Sequence, residues 1–388
     1  MGPGRQETQM NQAAQSALAL DTAPVVPADP MERTGFDIGW DHAHHGLVPP
    51  AELLHAGTPV AQGWMAGKAV FGRRHLAGNR FTRQWLALRL LAWRRGIVFD
   101  VEQVSANYLC QIHAARCPVT RMPLGGAAGQ ADAAQVERLN PHAGFAAGNL
   151  ATLSEHAAQA RAGLSVQQAV RQARAQQAGA APAGGLDVAA WWRLAALQAF
   201  ATPLPFAQVA QLPLAVLPPN RVRLLNAAQG LQALVTLLFA TPGWSTRCRA
   251  LALLLPAHTL RHDFNLFVGA LAPRVLEAGR DAGAVRQALE DAWLQERVQR
   301  RWQHFVLSLG ETATETLLDR AAAAGLAGVR TLCHGPEQAV DGWGLPASGQ
   351  VQRVAQAVSA AGQVAAPVHP AAARPMGRPA TTARPLMA

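Results

Sequence analysis

Four groupings of side chains in this 388-residue sequence could do chemistry. The first runs from Glu137 to His156: a carboxylate followed by Arg138, an amide at Asn149 and an imidazole at His156. A carboxylate or an imidazole can hold a cation, an imidazole can pass a proton near neutral pH, and an amide can bond through both its ends. The second is His42, His44 and His45 beside Asp37 and Asp41. These are metal-ligand types, and the alternative is a polar loop leading into Pro49-Pro50. The third is Cys110, His113 and Cys117. No second cysteine pair follows, so no structural zinc is expected, and the cysteines read as a buried residue near a helix end and part of a turn. The fourth, His258, His262 and Asp263, reads either as an acid–base or metal group or as the N-terminal cap of an apolar helix.

The elements that must position the first grouping are local. Asp100 with Gln103 at the reciprocal position predicts a helix start, and Val101, Val104, Tyr108 and Ile112 recur at helical spacing. Cys117-Pro118 ends that helix, because proline lacks the amide hydrogen and disfavours helix before it. Val119 to Leu124 predicts a turn or irregular strand. Val136 to Leu139 alternates like a strand, Asn140-Pro141 and Gly144 mark a turn, and Leu150 to Leu153 predicts a second strand. Ser154 then caps a helix through about Ala162, stopped by Gly163. The expected order is helix, irregular hairpin, helix.

Several motifs fall in this frame: Arg95-Gly96-Ile97-Val98-Phe99, Cys117-Pro118-Val119-Thr120, Glu137-Arg138-Leu139-Asn140, Gly144-Phe145 and Gly148-Asn149-Leu150. In order and spacing they resemble the HNH (His-Me finger) endonucleases, in the branch written RGI-x-F, CP-x-T-G-x-x-L and DRID-x-x-x-GY-x-x-GN. The resemblance covers about 70 residues, 93–162, and eleven positions separate Arg138 from Asn149 as in the family pattern. It implies a ββα-metal finger, with a divalent metal such as Mg²⁺ between hairpin and helix to polarise a phosphodiester. By the same resemblance Glu137 is the metal ligand and Asn149 braces the loop. Arg138 stands where other branches carry the water-activating histidine, which leaves His156 or a residue outside the motif for that role. The sequence departs from the pattern at Asn140, where the family has Asp, and at Ala158, where it has His or Asn.

The formal charge is +10, and Lys68 is the one lysine among 34 basic residues. From Leu53 to Phe99 there is no acidic residue, while Lys68, Arg73, Arg74, Arg80, Arg83, Arg89, Arg94 and Arg95 fall within it. Thr82 to Arg94 predicts an amphipathic helix, and its interleaved tryptophans read as core. Such a stretch reads either as a footprint for a phosphate backbone or as a solvated face. Lying directly before the HNH-like motif, it makes DNA the expected partner, with Lys68, Arg73, Arg74, Arg83, Arg89, Arg94 and Arg95 as contacts.

The expected class is mainly α: a small ββα finger after a basic helix, then an all-helical C-terminal domain. Expected divisions are a disordered arm over 1–35, the basic segment and finger over 36–163, a linker over 164–185, the helical domain over 186–362 and a disordered tail over 363–388. Helices are expected at 187–201, 221–240, 245–254, 263–278, 283–308 and 311–324. No apolar run reaches the roughly 18 residues of a membrane span, so no membrane partner is expected. Without a signal peptide or a disulfide pattern, a reducing cytoplasmic setting is expected. Three functions fit: a metal-dependent DNA endonuclease, a DNA-binding protein on a finger that no longer cuts, and a scaffold whose helical domain binds a protein partner.

Overall fold

The computed structural model describes residues 29–279, 281–326, 340 and 342–345. The expected N-terminal arm up to residue 28, Cys333-His334 and the expected tail lie outside the described residues. The described part is mainly helical, with fourteen α-helices and one two-stranded sheet.

Three helices come first: α1 (Pro30–His44), α2 (Pro59–Phe71) and α3 (Arg80–Arg94). Asp29, Thr58 and Asn79 cap them, and the first two place proline in the first turn, where its missing amide hydrogen costs nothing. Helix α1 starts at Pro30, ahead of Phe36. The histidine-rich segment is the end of α1, not a loop, because Asp29-Pro30 starts a helix that the later histidines continue. Helices α1 and α2 approach through glycines: a Cβ on Gly39 would collide with the Val60 carbonyl, and one on Gly63 with the Phe36 carbonyl. Ile38, Val60 and Leu90 form the small core joining these two helices to α3.

Next come α4 (Ala106–Ile112), β1 (Ala134–Arg138), β2 (Leu150–Ser154) and α5 (Glu155–Arg161). Ser105 caps α4 through the Tyr108 amide. Asp100 instead accepts from the Glu102 and Gln103 amides in a separate turn, so the helix is shorter than expected and Val101 is exposed. The strands are antiparallel, with Glu137 opposite Ala151 and Arg138 opposite Leu150. Successive side chains leave a strand on opposite faces. Val136, Phe145 and Leu150 join Leu88, Ala92, Tyr108 and Ile112 in one core, while Ala151, Leu153 and Ala157 join the larger one. The hairpin is thus buried on both sides, and all five residues of β2 are buried.

The remaining helices are α6 (Val166–Gln177), α7 (Val188–Phe200), α8 (Phe206–Ala210), α9 (Ala227–Ala240), α10 (Trp244–Leu253), α11 (His258–Glu277), α12 (Ala282–Ala292), α13 (Glu296–Leu309) and α14 (Glu311–Ala323). Within the expected linker, α6 buries Val166, Ala169, Val170 and Ala173 in the main core. Residues 221–226 are not helical as expected. Their amides are engaged elsewhere, Arg223 with the Gly148 carbonyl and Leu225 with the Phe200 carbonyl. The expected helix over 283–308 is two helices with a turn at Trp293–Gln295, and the fully buried Trp293 donates to Thr236 Oγ1 at 2.9 Å. Buried amides on α9 donate inward, Gln232 Nε2 to the Leu212 carbonyl and Gln229 Nε2 to the Ala196 carbonyl, while Gln232 Oε1 has no partner among the described residues. Among the described residues no helix is long and apolar enough to cross a membrane.

Candidate nucleic-acid interface and the adjoining hairpin

The loop between β1 and β2 is held from inside by Asn149. Its Oδ1 accepts from the Asn140 amide at 2.8 Å, and its Nδ2 donates to the Asn140 and Gly144 carbonyls at 3.1 and 2.9 Å. The residue is fully buried, so each of these bonds is made in a low-dielectric surrounding where leaving a group unpaired is costly. Arg138 closes the same loop from its side: Nη1 donates to the Pro141 and Ala143 carbonyls at 2.9 and 2.7 Å, and the guanidinium lies over the Phe145 ring. A guanidinium has no acceptor capacity, and this one is tied to the backbone.

Glu137 points to the opposite face of the strand, toward α5. There its carboxylate meets Arg161 Nη1 at 2.9 Å. Arg161 is almost fully buried and also donates through Nη2 to the Arg138 and Leu139 carbonyls. Burial pushes the Glu137 carboxyl above its ordinary range, opposed by the guanidinium groups of Arg161, Arg138 and Arg95. The charge beside Glu137 is thus supplied by an arginine of the chain itself. His156 stands in the first turn of α5 and faces away, with Nε2 bonded to the Gly184 carbonyl at 3.1 Å. Because a carbonyl only accepts, that nitrogen carries the proton. No hydrogen bond joins Glu137, Asn149 and His156 to one another among the described residues; each has a separate partner.

The metal that the family resemblance implies finds no donor set here. Among the described residues no three His, Cys, Asp or Glu side chains come together to hold a cation. Glu137, the expected ligand, is matched by Arg161, and Ala158 carries no donor. The histidine-rich segment supplies none either: His42 is buried with Nδ1 on the Ile38 carbonyl, and His44 stacks on Phe71.

The basic stretch divides into two kinds of residue. Lys68, Arg73, Arg74, Arg80, Arg83 and Arg95 are exposed. They come from the end of α2, the 72–79 connection and the two ends of α3. Lys68 lies over the Trp64 ring and Arg80 over Phe81. Arg89 differs from expectation. It is buried, paired with Asp41 of α1, and stacked on Trp85, so it joins α3 to α1 rather than facing solvent. Arg94 is exposed and pairs with Glu52 at 2.8 Å. The tryptophans are packing residues whose indole nitrogens donate to main-chain carbonyls: Trp64 to Leu47, Trp85 to Val104 and Trp93 to Met31. Sequence reading did not single out Arg161, whose position in the last turn of a capped helix is an ordinary one for a cation. It also passed over Arg221 and Arg223, which carry no motif.

Compared with known proteins, the chain matches no family model, no curated protein and no solved structure.

Proposed function

We propose that this chain binds nucleic acid through the exposed cations of α2, α3 and the connection between them, using an HNH-like ββα unit as a packed support rather than a cutting centre. The observation that carries the reading is the acid-free run with six exposed cations that make no ion pair among the described residues, beside a hairpin whose own charged groups are all engaged. Arg138 and Arg161 hold carbonyls, Glu137 is matched by Arg161, and His156 is bonded to the main chain. A cutting centre needs a water-activating base and a cation seat, and these residues serve neither role in this arrangement. The scaffold reading calls for an apolar patch on the C-terminal helices. Their exposed large apolar residues are Leu253, Leu266, Leu276 and Leu307, spread over three helices, and α13 presents Arg297, Arg300 and Arg301.

The test is duplex DNA binding measured across salt concentrations. Each neutralised phosphate contributes about 0.9 to the slope of log K against log salt, so six cations set an upper limit of roughly 5. The Arg73→Ala/Arg74→Ala/Arg83→Ala variant is expected to flatten the slope by about 2 to 3. Binding that is indifferent to salt, or unchanged in the variant, overturns the proposal. Metal-dependent cleavage of plasmid DNA by the wild type, lost in Glu137→Ala/Asn149→Ala, would restore the endonuclease reading.

A further inference from the structure

A cleft of about 830 Å³ has Asn107, Tyr108, Gln111, Gly148, Arg221 and Arg223 among its lining residues. Its volume is in the range of small-ligand sites, about 300–1,000 Å³. The lining holds two arginines and no acidic side chain. Polar atoms make up the larger part of its surface, so it suits a polar anion better than a hydrophobic molecule.

Its walls are fixed by internal bonds. Arg223 lies across Gly148, its amide donates to the Gly148 carbonyl at 3.0 Å, and its Nη2 donates to Gln103 Oε1 at 3.1 Å. Asn220 Nδ2 donates to the Gln111 carbonyl at 2.6 Å. The Gly148 amide donates to the Tyr108 hydroxyl at 2.9 Å, which leaves that buried hydroxyl its own proton to donate. The side chains of Arg221, Asn107 and Gln111, by contrast, make no hydrogen bond or ion pair among the described residues. Arg221 is also one of only two described non-glycine residues with positive φ, at 66°. That conformation is costly for a side-chain-bearing residue, and such strain clusters at ligand sites.

We infer that this cleft binds a phosphate-bearing nucleotide unit, with the phosphate on Arg221 and the base edge on the carboxamides of Asn107 and Gln111. Guanidinium groups pair with phosphate oxygens through two parallel bonds. A carboxamide offers both a donor and an acceptor, which is what a base edge presents. The unit has two sources, a free nucleotide or one residue of a strand.

Arg221→Gly is the discriminating variant. It removes the cation and leaves a residue that tolerates the positive φ, so folding is not impaired and Tm is not lowered. Calorimetry with the four nucleoside 5′-monophosphates and with adenosine tests the free nucleotide. Polarisation with a labelled single strand tests the polymer. The expected result is binding of at least one phosphate-bearing probe, no binding of adenosine, and at least a fivefold loss in Arg221→Gly at unchanged or higher Tm. Loss with the monophosphates identifies the free nucleotide, and loss with the strand alone identifies the polymer. If no probe binds, or the variant loses less than fivefold, the inference is wrong. The Arg73→Ala/Arg74→Ala/Arg83→Ala variant keeps the cleft, so failure of the cleft and failure of the duplex-binding surface are read separately.

Discussion

Replacing Arg161 by methionine tests whether the ββα unit is held by its own ion pair. The substitution keeps much of the buried hydrocarbon and removes the charge. Arg161 is 6% exposed and Glu137 34% exposed. Breaking a fully buried pair from one side costs about 3–5 kcal/mol, and the partial exposure of Glu137 reduces that share through solvent screening. Arg161 also donates to the Arg138 and Leu139 carbonyls, and each orphaned buried acceptor costs about 1 kcal/mol or more. Together these give about 3 kcal/mol for Arg161→Met. Glu137→Gln leaves the almost fully buried guanidinium without its counter-charge and is expected to cost about 2 kcal/mol, less than Arg161→Met because Arg161 keeps its two carbonyls. The double variant should then resemble Arg161→Met alone, since the two residues share one interaction. Urea denaturation of the four proteins reads all three numbers, and adding EDTA or Mg²⁺ to each should leave the midpoint in place. An Arg161→Met protein within about 0.5 kcal/mol of wild type, or a wild-type urea midpoint raised by Mg²⁺, would refute the reasoning.

Other outcomes follow from the same geometry. Asn149→Ala removes three buried hydrogen bonds across the hairpin loop and should cost about 3 kcal/mol, with amide exchange rising first over residues 140–149. Gly63→Ala drives a methyl into the Phe36 carbonyl where α1 meets α2 and should cost about 2–3 kcal/mol by forcing the helices apart, seen as a lower thermal midpoint. His42, His45 and His113 all have pKa values below the ordinary 6.5, each chiefly through burial, with Arg89 acting further on His42, His44 on His45 and Arg80 on His113. The unfolded chain therefore binds more protons than the folded one as pH falls below 6.5. Their contribution is present above that value and is lost as pH drops through the folded pKa values. Melting between pH 7.5 and 5.5 should show a falling midpoint, with a shallower fall in His42→Gln.

The parts of this fold that were legible in the sequence are those decided within one turn of chain. Helix α3 falls within a residue or two of the stretch marked by its apolar positions. Ser154 caps α5 by accepting from the Ala157 amide, as expected of a serine at that position. The hairpin runs between Ala134 and Ser154 because alternating strands flank a proline- and glycine-marked turn. Where local signals competed, distant contacts decided. Asp100 looked like a helix cap, but Ser105 took that place while Asp100 closed the preceding turn. Residues 221–226 looked helical, but the amides of Arg223 and Leu225 are bonded to the Gly148 and Phe200 carbonyls. Mainly helical architecture was readable; which helices pack on the hairpin was not, because that depends on both of its faces being apolar.

The same limit governs the charges, and it decides how the basic stretch should be weighed. An arginine in sequence is a cation of unknown use. Arg89 and Asp41 lie 48 positions apart, and Arg161 and Glu137 lie 24 apart; no local pattern links either pair. Burial turns each of these arginines into a fastener that satisfies a carboxylate or several carbonyls at once, a role to which the planar five-donor guanidinium is suited and an ammonium is not. Of the eight cations between Leu53 and Phe99, Arg89 and Arg94 are matched by Asp41 and Glu52, and six face solvent without a matching acid among the described residues. The field available to a phosphate backbone is therefore smaller than the formal charge suggests, but it is concentrated around α2, α3 and their connection. A surface of that kind attracts a polyanion without reading its sequence. Selectivity requires a site with directional donors and acceptors, and the Arg221 cleft is built from such groups.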